Sequence, residues 1–142
     1  GLPQAATLLA DKIVLPGRYA ANRSVIRHQR VHDPGRKPIR LALMRHHYRS
    51  SWQWTDAELP AALVTLKQWR RALALGSGAP AAPVVQAVLS ALAADLDAPA
   101  AVTIVQAWVD ASLGTDTVAD KRDSSASMTV RRLADASLGL LL

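Results

Sequence analysis

The chain has 142 residues, 50% of them hydrophobic, and carries a net charge of +6 with no cysteine. That length suits one domain with a real core, and that hydrophobic share excludes wholesale disorder. Without Cys there are no disulfides, no thiol chemistry and none of the soft ligands of most structural zinc sites.

The charge is unevenly placed. Residues 1–50 hold ten Lys/Arg against Asp11 and Asp33, a balance of +8, and residues 51–142 balance at −2. All four His also lie in the first fifty residues. A basic front of this kind suits nucleic acid, a nucleotide phosphate, an acidic protein face or simply water. Phe is absent and Ala abundant, which favours closely packed helices over aromatic-rich sheets.

Residues 1–37 form a basic lead-in, poorly defined by pattern. Ala5 to Val14 reads as a short helix ended by Pro16-Gly17, and Ala20 to Val31 as a second, strongly basic one. The opening Gly1-Leu2-Pro3-Gln4 lacks a signal-peptide layout, and the absent initiator Met is compatible with a truncated or processed chain. No apolar run reaches the ~20 residues of a membrane helix, so a cytoplasmic protein without a membrane partner is expected.

Residues 38–142 carry helical periodicity. Pro38 opens a helix in which Ile39, Leu43 and His46/His47 share one face and Leu41, Met44 and Tyr48 an adjoining one. Ser50-Ser51-Trp52-Gln53-Trp54 is a polar, aromatic elbow. Thr55 and Glu58 have the spacing of a capping box for the next helix. Its stripe is Leu59, Ala62, Leu63, Leu66, Trp69 and Leu73, with Pro60 expected to kink or fray the start.

Gly76 to Pro83 reads as a flexible connector, with Gly76 a helix stop. Val84, Val85, Val88, Leu89, Leu92 and Leu96 mark a further helix. Asp97 suits the cap of its successor, with Pro99 in the opening turn and Val102, Val105, Trp108, Val109 and Leu113 along its face. Gly114 to Ser127 reads as an exposed polar loop. Met128 or Thr129 to Leu138 makes the last helix, carrying Val130, Leu133, Ala134, Ser137 and Leu138. Nothing here alternates with period two. The expected fold is all-α: a bundle of about four helices after the basic lead-in.

Several constellations invite chemistry. His28 and His32 have the spacing of two ligands on one helical face, followed by Asp33, but no third partner is evident, and a surface pair is the favoured reading. His46-His47-Tyr48-Arg49 lacks a nucleophile, an oxyanion hole and an orienting carboxylate in sequence. The favoured reading packs one His at a helix end and bonds Arg49 to backbone or a neighbouring domain. Trp69 and Trp108 fit the core, and Trp52 and Trp54 fit a pin holding the elbow against the bundle or against another domain. Asp95-Leu96-Asp97 looks like a carboxylate pair, which capping explains. Gly76-Ser77-Gly78 lacks the Lys of a phosphate loop. No catalytic, cofactor-binding or metal-ligating residue is assigned.

Three stretches carry a resemblance. Ile39 to Glu58 holds Leu-Ala-Leu-Met-Arg-His-His-Tyr-Arg-Ser followed by Trp-Gln-Trp-Thr-Asp. Leu92 to Ala101 looks like a junction between helices, and Val130 onward like a closing helix. Together they resemble the region after the nucleotide-binding core of the mycothiol-pathway cysteine ligases, relatives of the class I cysteinyl-tRNA synthetases. The Trp-x-Trp-Thr-Asp elbow is more like the ligase than the synthetase. The resemblance implies ATP-dependent activation of cysteine and amide formation with glucosaminyl-inositol, with ATP and zinc held by a catalytic core or partner chain. The HIGH motif and the zinc ligands have no counterpart here. Gly17 to Asn22 stands about where a KMSKS-type loop belongs, yet has no Lys and only Asn22 in common with it. The implied role is a helical portion without catalysis of its own. The alternatives are a tRNA-binding bundle and a plain interaction domain.

Overall fold

The structure is a computed structural model that describes residues 36–114 and 122–142. Most of the lead-in, including His28, His32, Asp33 and Gly17 to Asn22, lies outside the described residues. Five helices follow one another: α1 (Lys37–Met44), α2 (Glu58–Leu73), α3 (Ala82–Ala93), α4 (Ala98–Leu113) and α5 (Ala126–Leu138). Among the described residues there is no strand, only one isolated antiparallel bridge between Gly78 and Asp123. The expected all-α bundle is what forms. Its fifth member is the eight-residue α1, which packs on α2 and touches α4.

Apolar spacing explains the core. On α2, Leu59, Ala62, Leu66, Trp69 and Leu73 are buried; on α4, Val102, Val105, Trp108 and Val109; on α5, Val130, Leu133, Ala134 and Leu138. Each set repeats at three or four residues and lays one stripe inward. α3 and α4 pack most extensively, α2 lies against α4 and α5, and α5 also meets α3. Ala42, Ala62, Ala72, Ala101, Ala126 and Ala134 are fully buried, which lets helix axes approach closely in a core without Phe. No helix among the described residues is long and apolar enough to cross a membrane.

The helix ends depart from the expectations in instructive ways. α1 stops at Met44, so His46, His47 and Tyr48 leave the helical face on which periodicity had placed them. Pro38, Leu41 and Ala42 are its buried residues, while Leu43 is half exposed. The capping box does not form: Ala57 is the N-cap of α2, no side chain caps it, and the Glu58 carboxylate turns to His46 instead. Because α2 begins at Glu58, Pro60 is its third residue. The amide that proline lacks has no intrahelical acceptor there, so the helix runs unbroken through it.

Elsewhere the expected caps form. The Asp97 Oδ1 accepts from the Ala100 amide at 3.0 Å, with Pro99 in the first turn. α3 ends at Ala93, so Leu96 falls in the following turn rather than on the helix. α5 starts at Ala126, two residues before the earliest expected start, and Ala126 and Ser127 are buried. It ends on Gly139 at φ 62°, where the Leu140 amide donates to the Ala134 carbonyl at 3.1 Å. The Gly139 amide donates to the Asp135 carbonyl at 3.0 Å, the bond of a left-handed αL close, and the turn carries Leu140 into the core at 0% exposure.

The connector at 76–83 is pinned rather than flexible. Gly78 and Asp123 exchange backbone hydrogen bonds at 3.1 and 2.8 Å. Arg122 donates through Nη2 to the carbonyls of Ser77 and Ser112 at 3.2 and 3.1 Å. Residues 122–125 are therefore a structured brace ahead of α5, not an open loop.

Candidate functional site at the aromatic elbow

The segment between α1 and α2 holds most of the polar and aromatic side chains singled out by sequence. Its first half is a stack. The His46 and Trp52 rings lie 3.8 Å apart and 6° from parallel. Trp52 meets Trp54 at 6.0 Å in a tilted arrangement, and Trp54 packs against the core. His46 Nε2 faces Glu58 Oε2 at 3.2 Å. The elbow is thus fastened inward by Trp54 and to the head of α2 by His46. Trp52 and Trp54 do pin it to the bundle.

Its second half closes on Asp95, a residue 47 positions downstream of Tyr48. The Tyr48 hydroxyl donates to Asp95 Oδ1 at 2.6 Å. Arg49 donates through Nη2 to the same oxygen at 3.1 Å and through Nε to the Tyr48 oxygen at 2.8 Å. Three groups thus form a closed ring of hydrogen bonds. His47 Nε2 stands 3.8 Å from Asp95 Oδ2, and its Nδ1 accepts from the Arg49 amide at 3.3 Å. That acceptor role places the ring proton of neutral His47 on Nε2, toward the carboxylate.

Two expectations are corrected here. Asp95 is no cap: Asp97 alone caps α4, and Asp95 is the orienting carboxylate that sequence reasoning missed. Arg49 bonds this carboxylate within the chain rather than backbone or a neighbouring domain. The signal lay in the turn. Asp95 and Leu96 both adopt left-handed backbone, at φ 62° and 53°. Such conformations disfavour residues with a Cβ by about 1–2 kcal/mol each, with Asp better tolerated than Leu. The turn aims Asp95 at the elbow and leaves Leu96 64% exposed.

The electrostatics are those of a fastening. The hydrogen bond to Asp95 raises the Tyr48 pKa above 10.0, with desolvation adding to it and the Arg49 contact opposing it. The phenol is therefore held protonated. Asp95 Oδ1 already accepts two donors. No nucleophile lies in this cluster, and among the described residues no group of three or more His, Asp or Glu is placed to hold a metal ion. Gly76-Ser77-Gly78 serves the brace to residues 122 and 123. Trp69 and Trp108 are core residues, as expected, exposed by 0% and 3%.

A groove opens beside the elbow, between α2 and α4, with Arg45 at its rim and a volume of about 490 Å³. Its polar side chains come from Thr65 and Gln68 on α2 and from Thr103, Gln106 and Asp110 on α4.

No protein-family model matches the chain. Curated relatives do. It is 50% identical over 104 residues to the L-cysteine:1D-myo-inositol 2-amino-2-deoxy-alpha-D-glucopyranoside ligase of Nocardiopsis dassonvillei, a match covering 73% of this chain and 25% of that protein. It is 44% identical over 124 residues to the ligase of the same name from Catenulispora acidiphila, covering 84% of this chain and 28% of the relative. The Thermomonospora curvata ligase is 45% identical over 104 residues, 73% of this chain and 24% of its own. The chain thus spans about a quarter of the length of these relatives, and the resemblance seen in the sequence is a homology to their C-terminal part.

Proposed function

We propose that this chain, homologous to the mycothiol-pathway cysteine ligases, is the helical portion that supports such an enzyme and performs no chemistry by itself. One observation carries the reading. The polar cluster of the elbow, His46 to Arg49 with Glu58 and Asp95, is spent on internal fastening, while its Trp52 and Tyr48 faces remain partly open. A reactive centre needs a group free to meet substrate, and a scaffold needs rigidity.

ATP and zinc belong to this reading only through the relatives' reaction class. The described residues offer neither a metal-binding group nor a glycine-rich phosphate cradle, so no step of the reaction is assigned to them. When bound elsewhere in such an enzyme, the two would supply adenylation and thiolate binding.

Two experiments test the proposal. The chain alone should give no cysteine-dependent ATP–pyrophosphate exchange, and clear exchange would refute the scaffold role. Residues 38–142 grafted in place of the matched segment of the Nocardiopsis ligase should retain ligase activity. A folded but inactive graft would count against the shared role. Low-salt tRNA binding that weakens steeply with added salt would favour the nucleic-acid alternative instead.

A further inference from the structure

We infer that α3 is an interaction surface for a second copy of this chain, the two helices packing antiparallel about a two-fold axis near Ala91. The inference stands apart from the ligase reading and survives its failure.

Three observations carry it. First, α3 is apolar yet hardly buried. No charged residue stands between Arg71 and Asp95, and the only polar side chains of α3 are Gln86 and Ser90. Even so, Val88 is its one buried residue. Ala82, Gln86, Leu89, Ala93 and Leu96 are all exposed. They recur at steps of four, three, four and three, the seam that a second helix fills.

Second, Leu96 is displayed against its own preferences. It is exposed and adopts left-handed backbone at φ 53°, where Gly or Asn would suit both the turn and the water better. The Leu96 amide donates to the Leu92 carbonyl at 3.1 Å and the Asp97 amide to the Ala91 carbonyl at 3.2 Å. The turn thus ties this leucine to the last turn of α3 and extends the seam past the helix end. A leucine held outward in strained backbone points to a contact.

Third, charge, symmetry and position select the occupant. The chain carries a net charge of +6, so two copies meet most cheaply through a neutral strip. A charged partner gains nothing from a strip without charge. The seam is also self-complementary. In an antiparallel pair centred near Ala91, Leu89 of each copy lies over Ala93 of the other, and Leu96 reaches the other copy's Gln86. Each contact occurs twice, as an isologous interface requires, and sets a large side chain against a small one at its centre. The remaining length of the ligase relatives precedes the matched segment and enters through α1, which packs on α2 and touches α4. Because α3 packs on α4 and α5, that attachment leaves its seam open. A single helix pair buries less than the ~1,600 Å² of a standard interface, so the dimer is weak and depends on concentration.

The test is sedimentation equilibrium of the full 142-residue chain from micromolar to millimolar concentration. The apparent mass should climb from that of the monomer toward that of the dimer. Leu96→Asn relieves the left-handed backbone, so the monomer should be at least as stable, while dimerisation weakens roughly tenfold. Leu89→Asp and Ala93→Lys, both at exposed positions, should each hold the chain monomeric. An equimolar mixture of these two should dimerise again, because carboxylate and ammonium meet only in the mixed pair. Circular dichroism at the lowest concentration should show unchanged helix content in every variant, which separates loss of pairing from loss of fold. The inference is overturned if the parent stays monomeric throughout, if Leu96→Asn pairs as tightly as the parent, or if the mixture of folded variants stays monomeric. The first of these results would assign the seam to a different partner.

Discussion

Gly78 lies flat against the indole of Trp108. A Cβ at position 78 would stand 2.7 Å from Trp108 Cζ2 and 2.8 Å from Ser112 Oγ. The same indole donates to the Ala79 carbonyl at 2.8 Å, and Ser112 Oγ accepts from the Ala79 amide at 3.0 Å. The connector is therefore threaded through a slot in α4 that admits only a hydrogen at this position. Gly78→Ala should destabilise the chain by about 1–3 kcal/mol, the usual effect of overpacking. Denaturant unfolding measures it, and an unchanged midpoint would show that the slot can widen.

Asp123 predicts a pH dependence. Its carboxylate accepts from both the side chain and the backbone amide of Ser125, and these bonds hold its pKa below the ordinary 3.8. A carboxylate with a lower pKa folded than unfolded stabilises the fold at pH above the unfolded value. That contribution is lost as pH falls through the depressed folded value. The melting temperatures of the parent and Asp123→Ala should therefore differ at pH 5 to 7 (about that range) and converge below 3.8. A gap that persists in acid would trace instead to the backbone of the brace.

The Asp95 ring makes a spectroscopic prediction. In Asp95→Asn the hydrogen bond from Tyr48 loses its charged acceptor, so the raised phenol pKa should fall back toward 10.0. Ultraviolet titration against Tyr48→Phe isolates this tyrosine from Tyr19. Asn tolerates left-handed backbone, so the turn itself should survive. An unaltered titration would mean that desolvation, not Asp95, holds the phenol pKa up.

Ser127 is the buried exception to satisfied polarity. Its hydroxyl has no hydrogen-bond partner, and the residue is 7% exposed in the first turn of α5. Ser127→Ala should raise stability by about 1 kcal/mol, because an orphaned hydroxyl no longer has to be desolvated. Thermal unfolding checks the sign, and a loss of stability would point to a bond with ordered water.

The stripes of α2, α4 and α5 were legible because each rests on aliphatic or Trp side chains repeating at three and four residues. The Asp97 cap was legible because its donor, the Ala100 amide, lies within its own turn. What escaped was long-range. Thr55 and Glu58 have capping-box spacing, but His46 competes for the carboxylate from across the elbow, and no local pattern reports that. The partnership of Tyr48 and Arg49 with Asp95 likewise depends on two left-handed residues folding a turn back over 47 positions. Gly76 to Pro83 looked loose because its composition is loose, yet the order comes from Arg122, Asp123 and Trp108, far along the chain.

The turn from Ala94 to Asp97 has a kinetic consequence. It joins α3 and α4, the most closely packed pair, through only a few residues. Little loop entropy opposes their meeting, so this hairpin is expected to condense early. The bridge between Gly78 and Asp123 spans 45 residues and closes a far longer loop. Substitutions in the hairpin core, such as Val105→Ala, should then slow refolding, whereas Gly78→Ala should chiefly hasten unfolding. The order of assembly would run from the helical hairpin outward, and the threaded connector would be its final stitch.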